Sequence, residues 1–470
     1  MRPICSLLAG LLGLASLASA AAPNPNLIYI MADDLGYGDI GPFGQKKIRT
    51  PHLDRLAAEG TCFDQFYPGA SVCSPTRSVL MTGQHTGHTR IRGNHGKAGV
   101  ARVPLKDSDI TVAEVLKSAG YATALAGKWG LGEPGNEGIP NRQGFDHWFG
   151  YLNNDLAEFY YPEKIWKNET EITLPGNLHG QRTQYSNDLM TDEALAFIDR
   201  TRARAQPFFL YLAYTIPHSL LEVPADSLAD YAGKFPEPPP TGKGGKNDLA
   251  QPRATFAGMV TRLDREVGRV LEKLGALGLE ENTVVFFCSD NGAPERSGLA
   301  QFFGSTGPFR GFKGSLWEGG IHAPMIVRWP GKIPAGQRSA YPWAGWDFLP
   351  TAAALAGATP PAGIDGIDVM PALRGERTTR PGYLYWENIQ TVFAQAVRVG
   401  DLKAVRPDPA APIQVYDLRA DPGESRDLAS ARPDFVARAA GLFRTARTES
   451  EHWPVDRAAT STKPGKKSQP

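Results

Sequence analysis

The run Gly69–Arg90, GASVCSPTRSVLMTGQHTGHTR, gathers reactive side chains in a chain of 470 residues that has only four cysteines. Ser74 is placed to cap a helix, Pro75 suits the first helical position, and Arg77 then falls on the first turn. Cys73 would stand at a helix N-terminus beside a guanidinium, where dipole and cation both stabilise an anion. Taken alone, this reads as a thiolate nucleophile of lowered pKa. The acidic clusters fit that reading badly. NLIYIMADD sets Asp33 and Asp34 at the end of an apolar run, and NTVVFFCSDNG does the same for Asp290 and Asn291. Hard oxygen donors suit Ca²⁺ or Mg²⁺, whereas zinc favours His and Cys. One Asp at a strand end is a turn former, but two such clusters point to a cation site.

Strands must deliver those carboxylates. Apolar runs at NLIYIMADD (Asn26–Asp34), YATALAGKWG, PFFLYLAYTIPH (read as a strand ending in His218) and NTVVFFCSDNG alternate with helical patterns at PHLDRLAAEG, TVAEVLKSAG, NDLMTDEALAFIDRTR and Thr255–Leu274. This order predicts an α/β fold, with a large central mixed, mainly parallel sheet flanked by helices over residues 23–356. Ligands in open α/β sheets gather at the carboxyl ends of the strands. From Gly357 the pattern shortens to YLYWEN, VFAQAVRVG, DLKAVR and IQVYDL, then a helix near Pro433–Ala446. A smaller antiparallel sheet with one helix is expected over 357–455, then a disordered tail over 456–470. Lys234–Gly245 reads as a Pro/Gly-rich loop.

Hydrophobic residues make up 41% and charged residues 21%, enough for a sizeable core. A formal net charge of +1 argues against a nucleic-acid partner, while leaving room for a local basic pocket. Residues 1–20, MRPICSLLAGLLGLASLASA, have the basic start, apolar run and small-residue end of a secretory signal. The run is short for a bilayer span, so an exported protein without stable membrane association is expected. Cys5 leaves with that leader, and Cys62, Cys73 and Cys288 form no disulfide framework. A Cys62–Cys288 bridge stays open at this level.

CSPTR matches the Cys-x-Pro-x-Arg signature of the type I sulfatases, a branch of the alkaline phosphatase superfamily. DDLGYGD, GKWGLG, PH after a strand, SDNG, GFKGSLWEGG and VYDLRADPGE follow in that family's order over Asn26–Leu428. The resemblance implies an arylsulfatase-like sulfuric ester hydrolase acting on a sulfated carbohydrate, and the leader places it in the periplasm or outside the cell. It implies that Cys73 is oxidised to formylglycine (3-oxoalanine) by a formylglycine-generating or anaerobic sulfatase-maturating enzyme. Asp33, Asp34, Asp290, Asn291 and the modified Cys73 resemble the family's ligands for calcium, in preference to magnesium. Arg77 resembles the residue that holds the formylglycine, and Lys128, His218 and Lys313 resemble the sulfate contacts. In the cycle this implies, one hydroxyl of the hydrated aldehyde attacks sulfur, His218 protonates the departing alcohol, and the second hydroxyl then expels sulfate.

Many members of that family read GKWHLG, with a histidine credited with assisting the elimination; here the position is Gly130. Either another base substitutes, with His85, His88 and His95 close in sequence, or the step uses water, or catalysis is impaired. His85, His88 and Arg92 are also candidates to rim the substrate pocket. His322 stands where arginine is frequent and reads as a structural difference. Two other functions compete: phosphonate or phosphodiester hydrolysis within the same superfamily, and non-catalytic binding of sulfated glycans. The lysine pair Lys128 and Lys313 favours sulfate.

Overall fold

The computed structural model describes residues 24–94, 102–240, 249–390 and 392–455. The leader with Cys5, His95, the second half of the Pro/Gly-rich loop and the tail at 456–470 lie outside the described residues. In chain order the larger unit holds β1 (Asn26–Ala32), β2 (Thr61–Phe63), β3 (Phe66–Tyr67), β4 (Ala122–Lys128), β5 (His147–Tyr151), β6 (Lys164–Lys167), β7 (Thr170–Thr173), β8 (Phe208–Ala213), β9 (Thr283–Ser289), β10 (Met325–Arg328), β11 (Gln337–Ser339) and β12 (Trp343–Ala344). Ten of them form one sheet in the order β11-β2-β10-β9-β1-β8-β4-β5-β6-β7, and β12 pairs with β3. The central five, from β9 to β5, run parallel, while β10, β6 and β7 enter antiparallel. This is the mixed, mainly parallel sheet that the alternating pattern predicts.

Strand periodicity explains how one sheet serves two cores. Ile28, Ile30 and Ala32 of β1 pack on one face with the Pro252–Ala276 helix, whereas Leu27, Tyr29 and Met31 pack on the other with Phe348 and Leu349. The same alternation settles the cysteines. Cys62 faces the first core and Cys288 the second, with β10 between their strands, so no bridge joins them and both are free.

The small sheet follows as an antiparallel meander of β13 (Leu384–Asn388), β14 (Ala394–Val399), β15 (Leu402–Arg406) and β16 (Gln414–Asp417), covered by the Pro433–Thr445 helix. Its other face meets the large unit in a shared cluster of Tyr67, Val79, Trp346, Trp386 and Val405. Before it, Val369, Met370 and Leu373 pack in the main core.

Candidate active site

Four strand ends and one helix start converge. β1 hands over to Asp33 and Asp34, β9 to Asp290 and Asn291, and β4 ends on Lys128. β8 stops at Ala213, earlier than the sequence pattern predicts. The chain then turns through Pro217, with Ile216 accepting from the Asp33 amide at 3.1 Å, and this bend carries His218 back over the carboxylates. The Cys73–Thr82 helix points its first turn at the same spot.

The start of that helix differs from the sequence reading. Val72 is the cap residue, Cys73 is already the first helical residue, and Ser74 caps nothing. Tertiary contacts decide this: Asn94 Oδ1 takes the Ser74 amide at 2.9 Å, and Asn154 Nδ2 donates to Ser74 Oγ at 2.7 Å. Thr76 Oγ1 closes the turn from inside, accepting from the Ala70 amide at 3.1 Å.

Lys128 Nζ lies 2.6 Å from Asp33 Oδ2, and Lys313 Nζ 2.6 Å from Asp34 Oδ1. Arg77 reaches Asp290 Oδ2 at 3.2 Å and donates to the Lys128 carbonyl at 2.8 Å. Cys73 Sγ sits 3.4 Å from Lys313 Nζ and 3.6 Å from Asp33 Oδ1. His218 Nε2 is 3.4 Å from Lys313 Nζ and 3.5 Å from Asp34 Oδ2. Asn291 Nδ2 donates to Asp34 Oδ1 at 2.7 Å, while its buried Oδ1 has no partner. The eight residues singled out as nucleophile, sulfate contacts and metal ligands, together with Arg77, therefore form one cluster.

Burial and charge compete here. Burial pushes Asp33 up, yet Lys128, His218 and Arg77 outweigh it and hold the carboxyl well below its usual range. Asp34 is likewise held low, mainly by Lys313. Asp290 goes the other way: burial and the neighbouring Asp33 charge raise it to about 7. Burial also lowers His218 to about 4. The thiol of Cys73, 1% exposed, is pushed up to about 12 by burial despite the two lysines. This is the opposite direction to the lowered thiolate expected at a helix start beside Arg77, with burial outweighing the pull of Lys128 and Lys313.

Three carboxylates and an unpartnered amide oxygen make a hard donor set fit for a divalent cation. The oxygen of Asn291, buried with nothing to donate to it, is the observation that favours such an ion. Asp33, Asp34, Cys73 and His218 bring ligand atoms within 4.8 Å of one another, and so do His85, His88 and Asp365 elsewhere among the described residues.

His85, His88 and Arg92 are placed elsewhere. A helix from Cys73 to Thr82 advances about 15 Å, and it delivers both histidines to Asp365, which His88 Nδ1 meets at 2.9 Å. Arg92, 3% exposed, spends its donors on Glu387, Thr448 and the Thr89 carbonyl. Among the described residues, His218 is the histidine that reaches the cluster. His322 presents its two ring nitrogens to Glu318 Oε2 and the Asp64 carbonyl, a structural role as expected.

At Gly130 φ is +78°, and a Cβ there would come 2.8 Å from Asn154 Oδ1 and 3.2 Å from Ser74 Oγ. Asn154 thus fills the space that a side chain at this position would enter. Sequence reasoning missed Asn154, Asn94 and Arg296, whose Nη2 donates to Asp34 Oδ2 at 3.0 Å. Each is an ordinary polar residue in a loop, with no local pattern to mark it.

The geometry meets clear likenesses among known proteins. Residues 25–358 match the sulfatase family profile, and residues 309–436 match one described as N-sulphoglucosamine sulphohydrolase, C-terminal. N-acetylgalactosamine-6-sulfatase of Sus scrofa is 35% identical over 414 residues, covering 84% of this chain and 74% of that protein. Arylsulfatase A of Homo sapiens is 33% identical over 475 residues, covering 89% and 86%. Among solved structures, Ps i-CgsB in complex with k-i-k-neocarrahexaose superposes with a TM-score of 0.77 at 29% identity, covering 93% of this chain and 96% of that one. With the family profile spanning most of the chain, this protein belongs to the type I sulfatases of the alkaline phosphatase superfamily and is a sulfuric ester hydrolase.

Proposed function

We propose that the protein hydrolyses sulfate esters of a carbohydrate, with residue 73 acting as a formylglycine and calcium held beside it. The observation that carries this reading is the state of Cys73. It occupies the centre of a cation-lined cluster, yet burial pushes its thiol up to about 12. A thiol so held is a poor nucleophile and a poor neighbour for carboxylates that favour hard ions. Replacing sulfur by an oxygen nucleophile at that position removes both conflicts.

Asp33, Asp34, Asp290 and Asn291 would hold the calcium together with the modified residue 73, and the ion would supply positive charge against the reacting oxygens. Arg77 and Lys128, both fully buried, fix the base of the site through Asp33, Asp290 and the Lys128 carbonyl. Lys313 stands between residue 73 and His218 at 3.4 Å from each, so it can meet the sulfuryl oxygens as charge spreads over them. His218 Nδ1 lies 3.1 Å from Ser219 Oγ, and its Nε2 is turned toward Lys313 Nζ. An incoming sulfate ester raises its proton affinity, which suits it to protonate the leaving alcohol at Nε2. A relative named N-acetylgalactosamine-6-sulfatase, and a structural neighbour solved in complex with k-i-k-neocarrahexaose, support a sugar as the alcohol. The apolar leader at residues 1–20 supports export.

Peptide mass spectrometry across Cys73 tests the nucleophile, using protein produced alongside a formylglycine-generating enzyme. Conversion is expected, and an unmodified thiol would overturn the reading. Matched aryl sulfate and aryl phosphate diester substrates then separate sulfatase from diesterase action, and faster diester turnover would shift the assignment.

A further inference from the structure

The motif VYDLRADPGE ends on Glu424, far in sequence from every residue of the active-site cluster. Glu424 is fully buried, and its φ of +51° lies in the left-handed region that a non-glycine residue adopts at a cost. That backbone turns both its carbonyl and its carboxylate toward one segment, Arg310–Glu318, the stretch that carries Lys313. Arg310 Nη1 donates to the Glu424 carbonyl at 3.0 Å, and the Glu318 amide donates to Glu424 Oε2 at 2.7 Å. Both ends of the Lys313 segment therefore meet on one residue.

Between those ends no helix or strand forms, although the Lys313 amide donates to the Ala293 carbonyl at 2.9 Å and the Gly314 amide to the Ser71 carbonyl at 2.8 Å. Phe309–Trp317 forms no helix or strand, and Gly311 and Gly314 both take positive φ. A glycine-bearing segment without secondary structure has a high entropy cost of ordering, so external anchors must set where its lysine points. Arg310 stacks on Trp317 with its guanidinium 3.9 Å from the ring, and Gly319 donates to the Arg310 carbonyl at 2.7 Å, which closes the base of the segment. Lys403 Nζ, fully buried on β15, lies 2.8 Å from both Glu424 Oε1 and Glu318 Oε1 and bridges the paired carboxylates. The small sheet thus grips the segment from outside, while Lys313 reaches inward to Asp34 and Cys73.

We propose that Glu424 is a positioning residue for Lys313, fixing both ends of the segment that presents the lysine to the sulfuryl group; this rests on the reading of Lys313 as a sulfate contact. A strained residue retained where it organises a functional loop is the situation in which backbone strain carries meaning.

The test uses the matured full-length enzyme, an aryl sulfate substrate and inorganic sulfate as a competing ligand. Glu424→Ala is expected to lower kcat/KM by about 10- to 100-fold, with sulfate inhibition weakened in parallel. Glu424→Gln keeps an acceptor for the Glu318 amide and should stay within about threefold of the parent. In a Lys313→Ala background, Glu424→Ala should cost less than about twofold more, since coupled residues are not additive. An equal loss in both backgrounds would mean general damage and would overturn the proposal, as would full activity in Glu424→Ala. Full activity in Lys313→Ala alone would instead remove the sulfate role of the lysine, a failure visible separately. Should Glu424→Ala not fold, Arg310→Met releases the other end of the segment and must show the same non-additivity with Lys313→Ala.

Discussion

Two buried clusters of charge lie in this molecule, and they differ in what they leave undone. In the small-sheet cluster Glu318 has both oxygens engaged, Oε1 by Lys403 and Oε2 by Tyr67 and His322, and Arg398 donates to Tyr67 and to the Gly400 carbonyl. In the active-site cluster Asn291 Oδ1 and Arg77 Nε have no partner, Asp290 is raised to about 7, and Lys313 faces a thiol and an imidazole. Satisfied groups rigidify a fold, whereas buried groups left short of partners are in wait for a ligand. In the first cluster the open Glu424 Oε1 still has Lys403 Nζ at 2.8 Å, whereas in the second the Asn291 oxygen is left open.

The sharpest break in this comparison comes at residue 73. Cys73→Ser should lower turnover by at least about 10³-fold, because a serine ester lacks the second hydroxyl needed to release sulfate. The thermal midpoint should hardly move, as a hydroxyl occupies nearly the same space. Turnover retained in this variant would remove the proposed nucleophile.

The next pair removes one buried lysine from each cluster. Lys403→Met strands Glu318 and Glu424 and should cost about 3–5 kcal/mol of stability by urea unfolding. Lys128→Met, assayed with calcium present, should lose about 10²- to 10³-fold in kcat/KM but less than half as much stability as Lys403→Met. If the two variants fail in the same way, the division between a structural and a chemical cluster is wrong.

How much of this could be read in advance follows from the range of each interaction. Asp33, Asp34, Asp290 and Asn291 were legible because an apolar run ending in oxygen donors is a local pattern, and β1 and β9 are neighbours in the sheet. Lys128, His218 and Lys313 came through resemblance, since no local rule joins three such distant cations. Ser74 was misplaced as a cap because Asn94 and Asn154 settle the helix start from outside it. His85 and His88 follow Cys73 closely in sequence, yet the intervening helix carries them away to Asp365. The small sheet was visible in its alternation and turns. Its grip on the Lys313 segment was not, since Glu424 and Arg310 meet only through tertiary packing.

The smallest effect concerns two histidines that burial treats alike. His85 and His218 are each lowered to about 4, with desolvation the main cause. His85 lies 3% exposed against His88 and Tyr385, with Asp365 only partly offsetting the desolvation. An unfolded histidine titrates near 6.5, so between that value and about 4 the unfolded chain holds a proton that folded His85 refuses. Stability from this site is therefore full above about pH 6.5 and is lost as pH falls toward 4, by at most about 3 kcal/mol. Urea midpoints at pH 7.5 and pH 5 measure the loss, and His85→Phe should shrink the difference between them. Inorganic sulfate should leave the His85 contribution unchanged, because His85 faces Asp365 and not the active-site cluster. A sulfate-dependent change that disappears in His85→Phe would show that this histidine communicates with the active site after all.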